Sequence, residues 1–477
     1  MIGTARADRP RAQSATIAVI GGGITGLAAA NHLLEVAAAN RARPLTVALF
    51  ERAEKAGGKL ATVRRAGFLA ESGPDCFLGD KPGASGLIDR FGLSDTLIPV
   101  QEQNRKSYIL HSKRLHEIPD GLMMGAPTRL SPMLASPLFS TVGKLRIALE
   151  PLVARRGIAD DESLAHFIER HFGRQLLERL VGPLIGGIFG GDPHELSARA
   201  TMPQMVELER QWRSLALALR AARPRQRGAT GRRPSMLTLR GGMQTLSDAL
   251  IARLAAVVHS GTEVTAIRRD SGRWRLSMAG GGEFFADAVI CAAPAWITAR
   301  LCRTIDKDLA ELLGSIHYNS VATVNLGYNT MPACRLPAGT GFVTSRDDQR
   351  LLTAVSFSSA KFENRAPRGG LLVRAFFGDG PARELTEAEL LDRARRELAD
   401  ILGLVAAPVL THVSRLIRAM PCYGVGHQQR VARAEARAAA LEGFILAGAA
   451  YRGVGVPDCI ISGEAAARRA YGAVYPE

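Results

Sequence analysis

No stretch of this chain stays apolar for the roughly 20 residues that a membrane-crossing helix needs, so contact with a bilayer has to be peripheral. Met1 to Ala15 is polar and basic and lacks the apolar core of a secretory signal. Cys76, Cys291, Cys302, Cys334, Cys422 and Cys459 form no CxxC pair and have no cluster of histidines near them in sequence. Neither a disulfide framework nor a metal site is indicated, and a reducing, cytoplasmic setting is the simplest home. Aromatic residues are only 5% of the chain, and without a recognisable module they give no support to a nucleic-acid partner. Acidic residues are outnumbered, 45 against 61 Lys and Arg, for a formal charge of +16. That surplus, mostly arginine, suits carboxylate or phosphate ligands and an anionic membrane surface.

What is present is enough for two or three packed units: 477 residues, 47% of them hydrophobic. Thr16 to Ile20 reads as a buried strand, Leu27 to Glu35 as a helix and Leu45 to Phe50 as a second strand, which makes one βαβ unit. From about Tyr108 to Leu219 the texture is helical, with Ser163 to Phe172, Arg174 to Leu180 and Gln204 to Arg220 as the clearest segments. Within it, Leu122 to Arg156 carries Met123, Met124, Leu130, Met133, Leu134, Leu138 and Phe139 punctuated by Arg129, Lys144 and Arg146. This segment reads either as a membrane-facing amphipathic surface or as a helical subdomain that buries its methionines. Ala221 to Pro234, rich in Arg, Gly and Pro, reads as a loop. A helix (Met243 to Val257) and strands at Glu263 to Arg268, Trp274 to Met278, Ala288 to Ala292, Ala322 to Tyr328, Leu351 to Phe357 and Leu371 to Phe377 follow. The chain then closes with a strand (Phe444 to Ala447) and a helix through Arg469.

The glycine-rich turn after the first strand carries the chemistry. Gly21-Gly22-Gly23-Ile24-Thr25-Gly26 fits GxGxxG. Gly21 permits the sharp exit from the strand, Gly23 the close approach of backbone to a pyrophosphate, and Gly26 close helix packing, while the helix N-terminus offers free N–H groups to phosphate. Glu51 follows the second strand where a carboxylate accepts the ribose hydroxyls, and its charge disfavours a 2′-phosphate, so NADP is not the expected occupant.

Glu51-Arg52-Ala53-Glu54-Lys55-Ala56-Gly57-Gly58-Lys59-Leu60 resembles the second signature of the FAD-dependent amine-oxidase-like superfamily, and Glu71-Ser72-Gly73-Pro74 resembles its continuation towards the flavin. The cofactor implied is FAD. Near the C-terminus, Gly448-Ala449-Ala450-Tyr451-Arg452-Gly453-Val454-Gly455-Val456-Pro457-Asp458 runs from a strand through glycines into a helix that proline starts well. The positive end of that helix suits the N1/C2 carbonyl side of a reduced flavin. Gly448, Val454, Gly455 and Val456 join Gly21, Gly22, Gly23, Thr25, Gly26, Glu51, Arg52, Gly57, Gly58, Lys59 and Gly73 as candidate cofactor residues.

Further stretches resemble the oxygen-dependent protoporphyrinogen/coproporphyrinogen oxidases. They are Leu115-His116-Glu117-Ile118-Pro119, Ser136-Pro137-Leu138-Phe139-Ser140, Gly186 to Ser197, Arg240-Gly241-Gly242-Met243-Gln244 and Tyr451 to Ile460. The resemblance spans nearly the whole chain. It implies six-electron oxidation of a porphyrinogen, protoporphyrinogen IX or alternatively coproporphyrinogen III, with oxygen as acceptor and hydrogen peroxide as product, in haem biosynthesis. It also implies that Gly191 lies against the macrocycle, that Leu326 and Phe376 wall the pocket, that Val264 meets the adenine, and that Arg105 or its neighbour Lys106 pairs a propionate. Peripheral contact with the cytoplasmic membrane face and pairing into a homodimer are compatible with it.

The expected architecture is therefore α/β, with three parts. A discontinuous Rossmann-like FAD-binding domain comprises 15–75, 235–300 and 435–475. A mixed-sheet substrate domain comprises 76–110 and 301–434, and a mostly helical membrane-side subdomain spans 111–220, followed by the 221–234 loop. Two rivals stand beside this reading. An amine oxidase or carotenoid desaturase would share the cofactor, though the scarcity of Tyr and Trp speaks against an aromatic amine cage. A flavoprotein that only binds partners would have no reason to keep the Gly191 stretch. The ten histidines show no catalytic pairing, and His116 and His194 read as surface or core residues.

Overall fold

The structure is a computed structural model that describes residues 14–123, 126–127, 129–153, 160–189, 191–212, 214–221 and 236–476. Met124, Gly125, Thr128, Arg156, Gly190 and the expected loop beyond residue 221 lie outside the described residues.

Ala15–Ile20 shows why a parallel sheet forms at the start of the chain. Its residues are buried on both faces, as a central parallel strand requires. Ile17 and Val19 join one core with Leu27, Leu33, Ile460 and Ala466, whereas Ala18 and Ile20 join another with Trp274, Leu276 and Ala434. Period-two alternation thus assigns the helices Ile24–Ala39 and Val456–Val474 to one face. The sheet runs in the order Val258–His259, Leu45–Phe50, Ala15–Ile20, Ala288–Cys291, Phe444–Leu446, and every pair in it is parallel. Its strands come from the beginning, middle and end of the chain.

A second sheet of seven strands runs Leu410–Pro421, Tyr318–Tyr328, Leu371–Phe377, Leu352–Ser356, Gly341–Thr344, Tyr108–His111, Arg114–Glu117. It is mixed, because Gly341–Thr344 and Tyr108–His111 pair in parallel among antiparallel neighbours. One face packs on helix Glu387–Leu402, whose Leu390, Ala394 and Leu398 share a buried cluster with Ala322, Val324 and Leu326.

The helical region has its own core of Met133, Leu138, Phe139, Phe167, Phe172, Leu180 and Leu215. In the 122–156 segment Met133 is completely buried, while Val142, Leu145 and Leu152 are 57–75% exposed. Among the described residues no helix is long and apolar enough to cross a membrane. Two helices expected as single segments are interrupted. Arg174–Leu176 passes through a π-turn at Leu177–Val181 into Gly182–Phe189, and Pro203–Gln211 ends at Trp212 before a new helix at 215–221. The second break has a cause: the buried Glu150 carboxylate accepts the N–H groups of Leu215 (2.9 Å) and Ala216 (3.3 Å), a capping role that only a fresh helix N-terminus provides.

Candidate functional site

Gly21, Glu51, Ala292 and Gly448 all sit at the carboxyl ends of parallel strands, the edge where open α/β sheets bind ligands. Gly21 has φ +103°, and a side chain there would press on the backbone of Ala292 at 3.1 Å. A Cβ on Gly26 would fall well inside contact distance of the Gly21 carbonyl oxygen, which is the helix-to-strand closeness the motif requires. Gly23 differs from both. It caps helix Ile24–Ala39 with no side-chain hydrogen bond, and an added Cβ would have no protein atom within 4 Å. Its glycine character therefore answers no internal crowding. The free helix N-terminus and the space in front of it fit a pyrophosphate.

Glu51 accepts hydrogen bonds from the N–H of Gly22 (2.6 Å) and of Ala53 (2.9 Å), which aims its carboxylate along the glycine loop. Thr262 N–H bonds the Glu51 carbonyl (2.8 Å) and brings the chain round to Val264, which is buried at the start of the next strand. Arg52 is exposed. Gly57 and Gly58, at φ +120° and +60°, lie against the loop: Gly57 N–H donates to the Gly22 carbonyl at 2.8 Å, and a Cβ on Gly58 would sit 3.0 Å from Gly23 Cα. Lys59 donates to the Ala419 carbonyl of the second sheet. Its side chain is reachable by solvent yet so enclosed that desolvation lowers its pKa, the combination expected of a residue lining an interior cavity. Gly73 leaves no room for a side chain over the Lys59 carbonyl.

The C-terminal stretch closes on the same place. Gly448 (φ +119°) has Thr25 Oγ1 and the Ala292 carbonyl as its nearest neighbours, each 3.9 Å from an added Cβ. Gly455 caps helix Val456–Val474 without a side-chain hydrogen bond, as Gly23 does for its helix. Gly463, two turns into that helix, meets the backbone of Thr25 in the first turn of Ile24–Ala39, so the two helices pack closely side by side beneath the same sheet edge. Val454 is half-buried beside them, and Val456 is buried. These residues fit FAD: one N-terminus for the pyrophosphate, Glu51 for the ribose, the other N-terminus for the ring.

The face of the seven-stranded sheet away from helix Glu387–Leu402 meets the Glu71 to Asp75 segment. Asn325 Nδ2 donates to the Glu71 carbonyl (3.3 Å), Ser414 Oγ to the Ser72 carbonyl (3.0 Å), and the buried Arg374 guanidinium to the Gly73 carbonyl (2.7 Å). Phe376, half-buried, stacks under Arg374 at 4.8 Å on this same face, where a pocket wall would stand. Leu326 is a correction. It is completely buried on the opposite face, in the cluster with Leu390 and Ala394, and has no open surface for a substrate. Gly191 is buried, with the methyls of Leu196 at 3.0 Å from an added Cβ. Arg105 and Lys106 are exposed and pair with Glu102 and Glu117 respectively, the latter at 2.8 Å. His194 is exposed and His116 partly so.

Two groups escaped sequence reading. Arg374 with Lys361 and Asp75 (2.9 Å apart) forms a buried charged layer beneath the Gly73 segment; a charge inside the apolar run Leu371–Phe377 was its signal, since buried arginine is rare unless paired. Tyr423, which bonds both Ala449 and Gly453, left no such trace. A surface cavity of about 380 Å³, lined by Gln101, Ser359 and the 363–370 loop, contains none of the expected site residues.

The flavin containing amine oxidoreductase family matches residues 24–470. A coproporphyrinogen III oxidase of Bacillus subtilis is 35% identical over 94% of this chain and 96% of its own. A protoporphyrinogen oxidase of Bos taurus is 32% identical over 96% of this chain and 98% of its own. A solved structure from an Exiguobacterium species, provisionally described as a protoporphyrinogen oxidase, superposes with a TM-score of 0.85 at 31% identity, covering 96% of this chain and 99% of that one. With a dinucleotide-type helix N-terminus and Glu51 at one sheet edge and these likenesses running nearly its full length, the chain belongs to the flavin containing amine oxidoreductase family and is an FAD-dependent oxidoreductase.

Proposed function

We propose that this protein oxidises a porphyrinogen to its porphyrin in haem biosynthesis, passing electrons to oxygen and releasing hydrogen peroxide. The observation that carries the reading is the helix N-terminus at Gly23, where no protein atom lies within 4 Å of an added Cβ, at the same sheet edge as Glu51 and the Gly448 turn. Bound FAD supplies the hydride-accepting ring. The chain's own task is placement: Gly21 to Gly26 and Glu51 hold the nucleotide, Val264 lies at the adenine, and the Gly57 to Gly73 and Gly448 to Val456 segments flank the ring. Phe376 and Gly191 wall the macrocycle so that a saturated bridge carbon faces the flavin. Six electrons and six protons leave the porphyrinogen, and three oxygen molecules take them up as three of peroxide. Coproporphyrinogen III is the better supported substrate, because the Bacillus subtilis relative carries that name; protoporphyrinogen IX is the second reading, from the name of the Bos taurus relative.

The test is to purify the protein, record the oxidised-flavin bands, and supply each porphyrinogen under air while following porphyrin fluorescence and peroxide. Faster turnover of coproporphyrinogen III is expected. Flavin without oxidation of either substrate would refute the porphyrinogen reading while leaving the family intact.

A substrate with several propionates needs cations at the pocket mouth. Arg105→Ala is expected to raise KM about fivefold, the size of an exposed ion pair, with flavin content unchanged. An unchanged KM in Arg105→Ala together with a raised one in Lys106→Ala would move the role to Lys106.

A further inference from the structure

We propose that Tyr423 is a positioning residue that holds the Gly448 to Asp458 loop in fixed relation to the Gly191 to Ser197 stretch, and so sets the flavin against its substrate. The proposal rests on the reading of that loop as the neighbour of the flavin ring.

The side chain of Tyr423 closes the loop on itself. Its hydroxyl donates to the Ala449 carbonyl at 2.6 Å and accepts from the Gly453 N–H at 2.8 Å. One oxygen therefore bridges both limbs of a glycine-rich turn. The main chain of Tyr423 belongs to the other partner: Ser197 N–H donates to its carbonyl at 2.7 Å, and Leu196 and Gly424 form an antiparallel bridge. Val425 N–H reaches the Glu195 carbonyl at 3.1 Å. Asp161 reinforces the joint, accepting from Ser197 Oγ at 2.7 Å and from Gly426 N–H at 2.8 Å. A single residue thus joins the helical stretch through its backbone and the flavin loop through its ring.

The ring is itself held. It stacks on His427 with centroids 4.1 Å apart, and His427 Nε2 donates to the Tyr451 carbonyl at 3.1 Å, inside the same loop. Burial raises the pKa of the Tyr423 hydroxyl and depresses that of His427 to about 4. Both stay neutral through the working range, so their hydrogen bonds keep one polarity and neither acts as an acid or base.

Tyr423→Phe keeps the stack on His427 and removes only the bridging oxygen, leaving the Ala449 carbonyl and Gly453 N–H without it. The purified holoenzyme is expected to keep its FAD with Tm lowered by no more than a few degrees, to show a shifted flavin midpoint potential and altered flavin absorption fine structure, and to lose about tenfold in kcat with KM little changed. Unchanged potential and kcat would overturn the proposal. So would loss of FAD with a lowered Tm, which would make Tyr423 a general stabiliser. Val454→Trp, which alters the loop directly, separates the two ideas. If it too leaves the flavin spectrum and potential untouched, the placement of the loop fails; if it changes them while Tyr423→Phe does not, only the role of Tyr423 fails.

Discussion

Gly23→Val is expected to give a folded protein that cannot keep FAD. The position has ordinary extended backbone angles, φ −72° and ψ 177°, and no protein atom within 4 Å of an added Cβ, so a branch point there strains nothing in the chain. Its methyls would instead stand where the pyrophosphate must touch the helix N-terminus, removing the close approach on which the site depends. Flavin content after purification is expected to fall to about a tenth or less, with the far-ultraviolet circular dichroism retained, because phosphate capture at the helix end is lost. Gly26→Ala is the contrast: its Cβ would collide with the Gly21 carbonyl, and the variant is expected to lose the fold along with the cofactor. Full flavin occupancy in Gly23→Val would contradict the register assigned to the motif.

The second large effect lies in the helical region. His171 is completely buried, with Nδ1 2.9 Å from Glu150 and Nε2 3.2 Å from Glu209. Glu150 also accepts from Ser214 Oγ at 2.5 Å, and Arg170 pairs with Glu209 and Glu162. Glu150→Ala would leave His171 Nδ1, Ser214 Oγ and the start of helix 215–221 without their buried acceptor, at an expected cost of about 3–5 kcal/mol in denaturant unfolding. A loss below about 1 kcal/mol would mean that the cluster contributes no more than a surface pair.

The same cluster sets a pH window. Desolvation alone would lower His171, but its hydrogen bonds to Glu150 and Glu209 outweigh that and the net shift is upward. A raised histidine contributes fully below its ordinary 6.5 and loses that contribution as pH rises through its folded value. Desolvation pushes both carboxylates up, yet bonding to His171, joined by Ser214 or Arg170, brings them down, Glu209 to about 2. Lowered carboxylates contribute fully above their ordinary 4.5 and lose it as pH falls through the folded values. The difference in Tm between the native protein and Glu150→Gln is therefore expected to be largest between those ordinary values, 4.5 and 6.5, and to shrink on either side. A difference that stays flat with pH would remove His171 from the account.

Local chemistry made much of the site legible. Gly21, Gly26, Gly57 and Gly58 are glycine because a short backbone excursion demands it, and such demands are written in a few adjacent residues. Strands with apolar runs, such as Leu371–Phe377, were equally plain. Leu410–Pro421 was not: as an edge strand it is only half covered, and Leu-Thr-His-Val-Ser-Arg carries no strict alternation. Leu326 shows a subtler limit. Its strand was readable, but the face it presents depends on which side the flavin segment docks, and neighbouring residues in a strand point oppositely. Asn325 turned to Glu71, and Leu326 to the helix.

The amino-acid order by itself determined the βαβ start, the dinucleotide loop with Glu51, and the second helix N-terminus at Gly455, because each depends on neighbours within a few residues. Only the tertiary structure decided that those two helices pack together at Thr25 and Gly463, that Tyr423 binds the Gly448 to Asp458 loop to the Gly191 stretch, and that Glu150, His171 and Glu209 share one buried cluster. Such pairings join residues tens to hundreds of positions apart. Which of them form is settled by the packing of sheets and helices that all the residues determine together.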